Sequence, residues 1–398
     1  MNECTAKHGH PHDPAPGGVG PQVIAWEITR RCPLACRHCR AGARNQPYDG
    51  ELSTAECLRV VDSLVDNLKL ETRNLEDQAK PCKENPASRR HGVTASHPYS
   101  SRPAPLLILT GGEPLSRTDV WMIAKRASEN GLRVVMAPCG VSVDDEAIRK
   151  MRESGVQAIS LSVDGATAAQ HDDFRGVTGS FDANLRAMEC ARRGGMPFQI
   201  NMTVSLVNVD DLDAIRELAL REGASQLDLF FLVPVGRGAG IRKFALSAER
   251  SEQALEWALK MNAQGPLRIK TTCAPQIVRV RSRLGINAAG PARHGGTGGC
   301  MAGRGFVFIS HTGILQPCGF CDVPSGDLRR HNLDFMAAYR ASDVFRKLRN
   351  VDGYGGKCGL CGFRSVCGGC LARALAATGN LLAEEPSCPH QPASRKPT

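Results

Sequence analysis

The sequence predicts an α/β protein: a partial (β/α)6 barrel followed by a cysteine-rich C-terminal extension. Three observations predict it. From residue 22 short apolar runs alternate with amphipathic helical stretches, the pattern of strand and helix units around a parallel sheet. Glycines stop several of the helical runs. After residue 281 the chain changes character, with glycines and cysteines crowding and long helical patterns scarce.

The strands are expected at Val23 to Thr29, Leu106 to Thr110, Arg133 to Ala137, Ala158 to Val163, Gln199 to Val204 and Leu227 to Val233. Ser53 and Glu56 form a capping box before Leu58, Val61, Leu64, Val65 and Leu68, which share one helical face. Gly131, Gly155, Gly194, Gly223 and Gly265 each follow a periodic run. Six such units fit a partial barrel, and the same periodicity fits an open sheet or an eight-fold barrel. The expected organisation is a disordered tail over 1–20, a barrel over 21–280 with a flexible Pro/Ser/Arg/His-rich insertion at 71–105, and a C-terminal domain over 293–391 entered through a Gly-rich linker.

The chain has 398 residues, 42% hydrophobic and 23% charged, enough to bury a sizeable core. It lacks a run of eighteen apolar residues, so no membrane span is expected, and its first twenty residues lack the apolar core of a secretion signal. The expected location is the cytoplasm. In that reducing setting the seventeen cysteines point to metal binding or catalysis rather than to disulfides. The net charge of +10 favours a small anionic substrate over nucleic acid, because the basic residues are scattered rather than gathered in a run, and it fits a merely solvated basic surface equally well.

Directly after the first strand stands Cys32-Pro33-Leu34-Ala35-Cys36-Arg37-His38-Cys39, a C-x3-C-x2-C loop at the C-terminal end of a strand, where parallel α/β folds place their chemistry. Three soft thiolates in a short loop suit an iron–sulfur cluster. A cubane has four irons, so three cysteines leave one iron open to a substrate. After the second strand comes Thr110-Gly111-Gly112-Glu113-Pro114, where glycines permit close backbone approach by a ligand and a carboxylate accepts hydrogen bonds from an ammonium group.

Together the two loops resemble those of radical S-adenosylmethionine (SAM) enzymes. The resemblance implies a [4Fe–4S] cluster on Cys32, Cys36 and Cys39, whose open iron is chelated by the amino and carboxylate groups of SAM. One-electron reduction then cleaves SAM to methionine and a 5'-deoxyadenosyl radical. It implies SAM contacts from Gly111, Gly112, Glu113 and Pro114, from Ser162 and Asn201 on the fourth and fifth strands, and from Arg175.

The C-terminal part carries Cys300, then Gly313 and Cys318, then Cys358-x2-Cys361-x5-Cys367-x2-Cys370, and last Cys388. This order resembles the SPASM extension of radical SAM enzymes, departing from it in the two-residue gap before Cys370. A zinc ribbon is the rival reading of two C-x2-C pairs. The resemblance implies one or two auxiliary [4Fe–4S] clusters, one on Cys358, Cys361, Cys367 and Cys388, the other on Cys300, Cys318 and Cys370 with Cys273 or Cys321 to complete it. Cys4, Cys57, Cys82 and Cys190 are read as ordinary thiols.

Further phrases, among them Ala25-Trp26-Glu27-Ile28-Thr29-Arg30, Thr271-Thr272-Cys273-Ala274-Pro275 and Glu385-Pro386-Ser387-Cys388, resemble the tetrapyrrole branch: the heme synthases of the siroheme-dependent pathway and the heme d1 biosynthesis proteins. That branch implies iron-coproporphyrin III as substrate, loss of carbon dioxide from its propionates to give heme b, and a reductant such as flavodoxin or ferredoxin. Arg237, Arg304 or Arg373 would contact propionates. Cys139 where relatives usually have Asn, Leu371 within a Cys-Arg-Ala-Arg pattern, and Cys388-Pro389-His390 without an aromatic depart from the branch. The alternatives are a tetrapyrrole-modifying paralogue, a SPASM-type peptide maturase, which would need more than the twenty residues before the first strand for a leader-binding domain, and a non-enzymatic iron–sulfur electron-transfer protein.

Overall fold

The structure, a computed structural model, describes residues 20–78, 104–286 and 299–392. The expected N-terminal tail with His8, His10, His12 and Cys4, most of the expected insertion with Cys82, and the linker residues 287–298 lie outside the described residues.

Seven parallel strands follow one another in chain order: β1 (Val23–Thr29), β2 (Leu106–Gly111), β3 (Arg133–Met136), β4 (Val156–Ser162), β5 (Phe198–Val204), β6 (Gln226–Phe231) and β7 (Arg268–Thr272). They alternate with α1 (Thr54–Gln78), α2 (Val120–Glu129), α3 (Asp145–Glu153), α4 (Ala168–Arg175) and α5 (Ser180–Arg193), α6 (Leu212–Arg221), α7 (Ala248–Gln264) and α8 (Ile277–Arg283). β1 is buried on both faces from Ile24 onward, as a central parallel strand requires. The capping box forms: Ser53 N–H donates to Glu56 Oε2 at 2.8 Å and Glu56 N–H to Ser53 Oγ at 3.3 Å. No described helix is long and apolar enough to cross a membrane.

The six expected strands are present, each within two residues of its expected ends. β7 was not expected, because Arg268-Ile269-Lys270 exposes its outer residues as an edge strand does, leaving little apolar signal. Helix α1 continues through residues 71–78, which composition assigned to the insertion.

The cysteine-rich region does not sit apart from this sheet. β8 (Phe306–Ile309) pairs in parallel with the free edge of β1, from Val23 opposite Phe306 to Trp26 opposite Ile309. β9 (Ile314–Gln316) and β10 (Gly326–Asp327) extend it antiparallel, giving the strand order β10-β9-β8-β1-β2-β3-β4-β5-β6-β7. Short helices α9 (Phe335–Arg340), α10 (Asp343–Arg349), α11 (Gly356–Leu360) and α12 (Leu371–Thr378) complete the region.

A buried carboxylate locks this seam. Glu27 on β1 is fully buried and accepts hydrogen bonds from Arg30 Nε (2.9 Å) and Arg40 Nη1 (3.1 Å), and pairs with His311 Nδ1 (2.8 Å) in the β8–β9 turn. Arg40 also stacks over the Phe308 ring and reaches the Gly319 carbonyl. Burial pushes the Glu27 pKa up, but the His311 hydrogen bond and the charges of Arg40 and Arg30 outweigh it and hold the group at about 2 against an ordinary 4.5. A carboxyl depressed on folding stabilises fully above its unfolded pKa, and that contribution disappears as pH falls through about 2. Denaturant unfolding of the cluster-free protein is therefore expected to show stability falling between pH 4.5 and 2, with Glu27→Gln flattening this fall. At neutral pH Glu27→Ala, which strands the buried His311 and Arg40, is expected to cost about 3–5 kcal/mol; a loss below about 1 kcal/mol would show that the seam does not depend on Glu27.

Candidate functional site

All the candidate loops leave the C-terminal ends of the parallel strands: the cysteine loop after β1, Gly112-Glu113-Pro114 after β2, Cys139 after β3, Asp164 after β4 and Arg237 after β6. Parallel α/β sheets bind their ligands at this end.

The cysteine loop is pinned by backbone bonds on several sides. Cys32 N–H donates to the Arg44 carbonyl (3.0 Å), Arg37 N–H to the Arg175 carbonyl (2.9 Å), and Arg237 N–H to the Cys39 carbonyl (3.0 Å). Arg237 also spans the loop, with Nε on the Cys36 carbonyl (2.9 Å) and Nη1 on that of Ala43 (2.6 Å). It is thus a brace for the cysteines, with its buried Nη2 left without a partner.

The loop after β2 crosses the cysteine loop at van der Waals distance. Gly112 N–H donates to Thr29 O and Glu113 N–H to Arg31 O, both at 2.8 Å. A Cβ on Gly111 would lie 2.3 Å from Thr29 O, and one on Gly112 would lie 2.4 Å from Arg30 O and Arg31 O. The two glycines are therefore required by the approach of the chain's own backbone, where the sequence suggested approach by a ligand. Glu113 is fully buried and accepts from Leu115 N–H (2.9 Å) and Cys139 N–H (2.5 Å). Burial raises its pKa, the hydrogen bonds from Cys139 opposing. Pro114 opens the turn that follows.

Cys32, Cys36 and Cys139 are buried in one cluster with half-buried Cys39 against them. Leu34 N–H donates to Cys32 Sγ at 3.4 Å. Burial raises the Cys36 thiol pKa, with Arg175 opposing. Arg175 is itself buried: Nη1 donates to Asp164 Oδ2 (3.0 Å) and lies 3.4 Å from the Ser162 carbonyl, and Nη2 lies 3.5 Å from Cys36 Sγ. Its Nε has no partner. His38 stacks on Phe174, and its Nε2 lies 3.5 Å from Asp164 Oδ2 while Nδ1 is buried without a partner. Burial lowers the His38 pKa to about 4, so the ring is neutral at pH 7. Ser162 and Asn201 are register partners on β4 and β5, both half-buried, and Asn201 Oδ1 accepts from Gln199 Nε2 at 2.7 Å.

These residues fit an iron–sulfur cluster with a polar cosubstrate. Soft thiols gather in an apolar pocket with a cation beside one sulfur, and the buried Arg175 Nε, His38 Nδ1 and Arg237 Nη2 around them have unmet hydrogen-bonding capacity.

The remaining cysteines fall into two groups. Cys358, Cys361, Cys367 and Cys388 line one hollow with Gln276 and Arg279, whose buried Oε1 and Nε have no partners. Cys273, Cys318, Cys321 and Cys370 pack in a second cluster, with Cys318 and Cys321 bridged through their backbones, while Cys300 is half-buried against the main core. Cys57 and Cys190 are buried elsewhere in the main core.

An ion pair not foreseen in the sequence joins the two groups. Arg373 and Glu385 are both buried and bond at 3.0 Å. Arg373 Nη2 holds the Cys273 carbonyl, while Glu385 accepts from Cys370 N–H and Ser387 N–H, and its own N–H points to Cys358 Sγ. Arg373 is therefore committed within the protein, a correction to its expected contact with propionate. Arg304 Nη1 likewise bonds the Ser365 carbonyl.

Comparison with known proteins agrees with this geometry. Residues 99–219 match the Radical SAM superfamily. The chain is 38% identical over 382 residues to the AdoMet-dependent heme synthase of Nitratidesulfovibrio vulgaris, covering 94% of each chain. The chain belongs to this family of radical SAM enzymes. It is also 37% identical to the AdoMet-dependent heme synthase of Methanosarcina barkeri, over 94% of this chain and 98% of that one. Among solved structures, Streptococcus suis SuiB bound to S-adenosylmethionine superposes with a TM-score of 0.67 at 14% identity, over 93% of this chain and 77% of that one, a likeness of fold.

Membership makes the chain an enzyme that uses an iron–sulfur cluster and SAM. If the crossing of the two loops sets the cluster site, Gly112→Ala is expected to cost about four irons per chain after reconstitution. Gly240→Ala, whose Cβ meets nothing within 4 Å, serves as control. Wild-type iron and sulfide in Gly112→Ala would refute this.

Proposed function

We propose that this enzyme generates a 5'-deoxyadenosyl radical and uses it to decarboxylate propionates of iron-coproporphyrin III oxidatively, forming heme b. The observation that carries the reading is the 38% identity, over 94% of both chains, to an AdoMet-dependent heme synthase. Cys32, Cys36 and Cys39 would hold the cluster, which once reduced would supply the electron that splits bound SAM into methionine and the radical.

The chain's own residues position that chemistry. Glu113, fixed by two backbone N–H groups, offers its carboxylate to the SAM amino group, in a loop shaped by Gly111, Gly112 and Pro114. Arg175, held by Asp164, offers its unpartnered Nε to the SAM carboxylate. Ser162 and Asn201, adjacent on β4 and β5, offer polar groups to the remainder of SAM.

The radical takes a hydrogen atom from the β-carbon of a propionate. The bond to the carboxylate then breaks and carbon dioxide leaves. Of its two electrons, one completes the vinyl double bond and one must depart. Auxiliary [4Fe–4S] clusters, one or two in number, would be held by Cys358, Cys361, Cys367 and Cys388, and by Cys300, Cys318 and Cys370 with a further cysteine, and would supply an outlet for it. A reductant of the flavodoxin or ferredoxin type would deliver the initiating electron. The net charge of +10 suits a multiply anionic porphyrin.

Anaerobically reconstituted enzyme with a strong reductant is expected to cleave SAM, and Cys36→Ala to lower cleavage to background. With iron-coproporphyrin III, mass analysis is expected to show two successive losses of carbon dioxide with two hydrogens. SAM cleavage without either loss would retire the porphyrin reading and leave the radical chemistry standing.

A further inference from the structure

The guanidinium of Arg175 stands between a buried carboxylate and a sulfur of the three-cysteine loop. Arg175 is the last residue of α4 and is 6% exposed. Its Nη1 donates to Asp164 Oδ2 at 3.0 Å, and its Nη2 donates to Cys36 Sγ at 3.5 Å. Its carbonyl accepts the N–H of Arg37, the residue after Cys36, at 2.9 Å, so main chain and side chain engage the loop at the same place. Asp164 is fixed in turn: Oδ1 accepts Thr203 N–H (2.6 Å), the carbonyl accepts Asn208 Nδ2 (2.9 Å), and the N–H donates to Nδ1 of His171 (3.1 Å), one turn before Arg175 in α4.

A guanidinium is planar and carries its donors in a rigid fork, so Asp164 on Nη1 dictates where Nη2 points. Cys32 Sγ receives a neutral N–H, that of Leu34 at 3.4 Å, whereas Cys36 Sγ receives a cation. Reduction adds one negative charge to a cluster. In a site this dry, a cation one hydrogen bond from a ligand sulfur stabilises the reduced form more than the oxidised one.

We infer that Arg175, aimed by Asp164, donates a charge-assisted hydrogen bond to the Cys36 sulfur and raises the reduction potential of the cluster held by Cys32, Cys36 and Cys39. The inference rests on the radical SAM reading above, in which Nε of the same guanidinium faces the SAM carboxylate. Hydrogen bonds to cluster sulfurs are a recognised control on cluster potentials. The initiating electron still comes from the external reductant, and Arg175 makes the cluster easier to reduce. Asp164 is the positioning residue of this arrangement.

The test compares reduction midpoints, without SAM, of reconstituted full-length wild type, Arg175→Lys, Arg175→Met and Arg175→Met/Asp164→Asn, each matched for iron and sulfide. Electron paramagnetic resonance follows the first cluster after subtraction of the Cys32→Ala/Cys36→Ala/Cys39→Ala protein, which supplies only the auxiliary signals. Arg175→Met strands a buried carboxylate and risks unfolding; the double variant removes both charges at once and carries the test in that event. The expected result is a more negative midpoint in Arg175→Met and in the double variant, with Arg175→Lys, which keeps a cation, nearer wild type. A double variant with the wild-type midpoint overturns the inference. So does an Arg175→Lys midpoint as negative as that of the double variant, which would mark a disturbed loop rather than a lost cation. Adding SAM to wild type separates this failure from that of the reading beneath it: a first-cluster signal indifferent to SAM removes the radical SAM reading and the inference with it.

Discussion

The site depends on one crossing of backbone over backbone. The cysteine loop after β1 lies so close to Gly111 and Gly112 that neither position has room for a Cβ, and two main-chain hydrogen bonds close the contact. Parallel neighbours in a sheet end side by side, so their loops meet without any long connection. The glycines convert that nearness into a fixed geometry between the thiols and the carboxylate of Glu113. The Arg237 side chain and the Arg175 carbonyl hold the loop from its other sides, so the three sulfurs start from a backbone that is already ordered.

Around this crossing the C-terminal region is built in rather than added on. β8 extends the edge of β1, and Glu27, Arg40 and His311 tie that edge to the residue immediately after Cys39. Arg40 then reaches Gly319, next to Cys318, so the first cysteine loop and one auxiliary group share a side chain. Arg373 and Glu385 play the matching part between the two auxiliary groups. Removing two charges from water is costly, and each is compensated here by several main-chain partners. The positive φ of 61° at Cys273, whose carbonyl Arg373 holds, is a strained conformation for a residue with a side chain, kept in place by that anchor.

Much of this was legible in the sequence because it follows from local rules. Apolar runs located β1 to β6, and a capping box located the start of α1. What was not legible depends on partners far apart in the chain. The parallel pairing of β8 with β1 joins residues nearly three hundred positions apart, with only the four-residue β8 to signal it. Glu27 and Glu385 stand in the sequence only within phrases of the family pattern, and their partners Arg40, His311 and Arg373 come from other segments. Arg373 looked available for an anionic substrate because a sequence displays charge without displaying the Glu385 that already neutralises it. Cys139 was visible only as a departure from the family pattern; its place in the buried cluster beside the first cysteine loop follows from β3 lying next to β2, whose Glu113 holds its N–H.

The central claim is that Cys32, Cys36 and Cys39 leave one iron open to SAM. Electron–nuclear double resonance of the reduced enzyme with SAM labelled at its amino nitrogen and carboxylate oxygen tests this most directly. The account predicts strong coupling of both labels to the cluster. Absence of coupling from either, in enzyme whose cluster is intact and reduced, would contradict it.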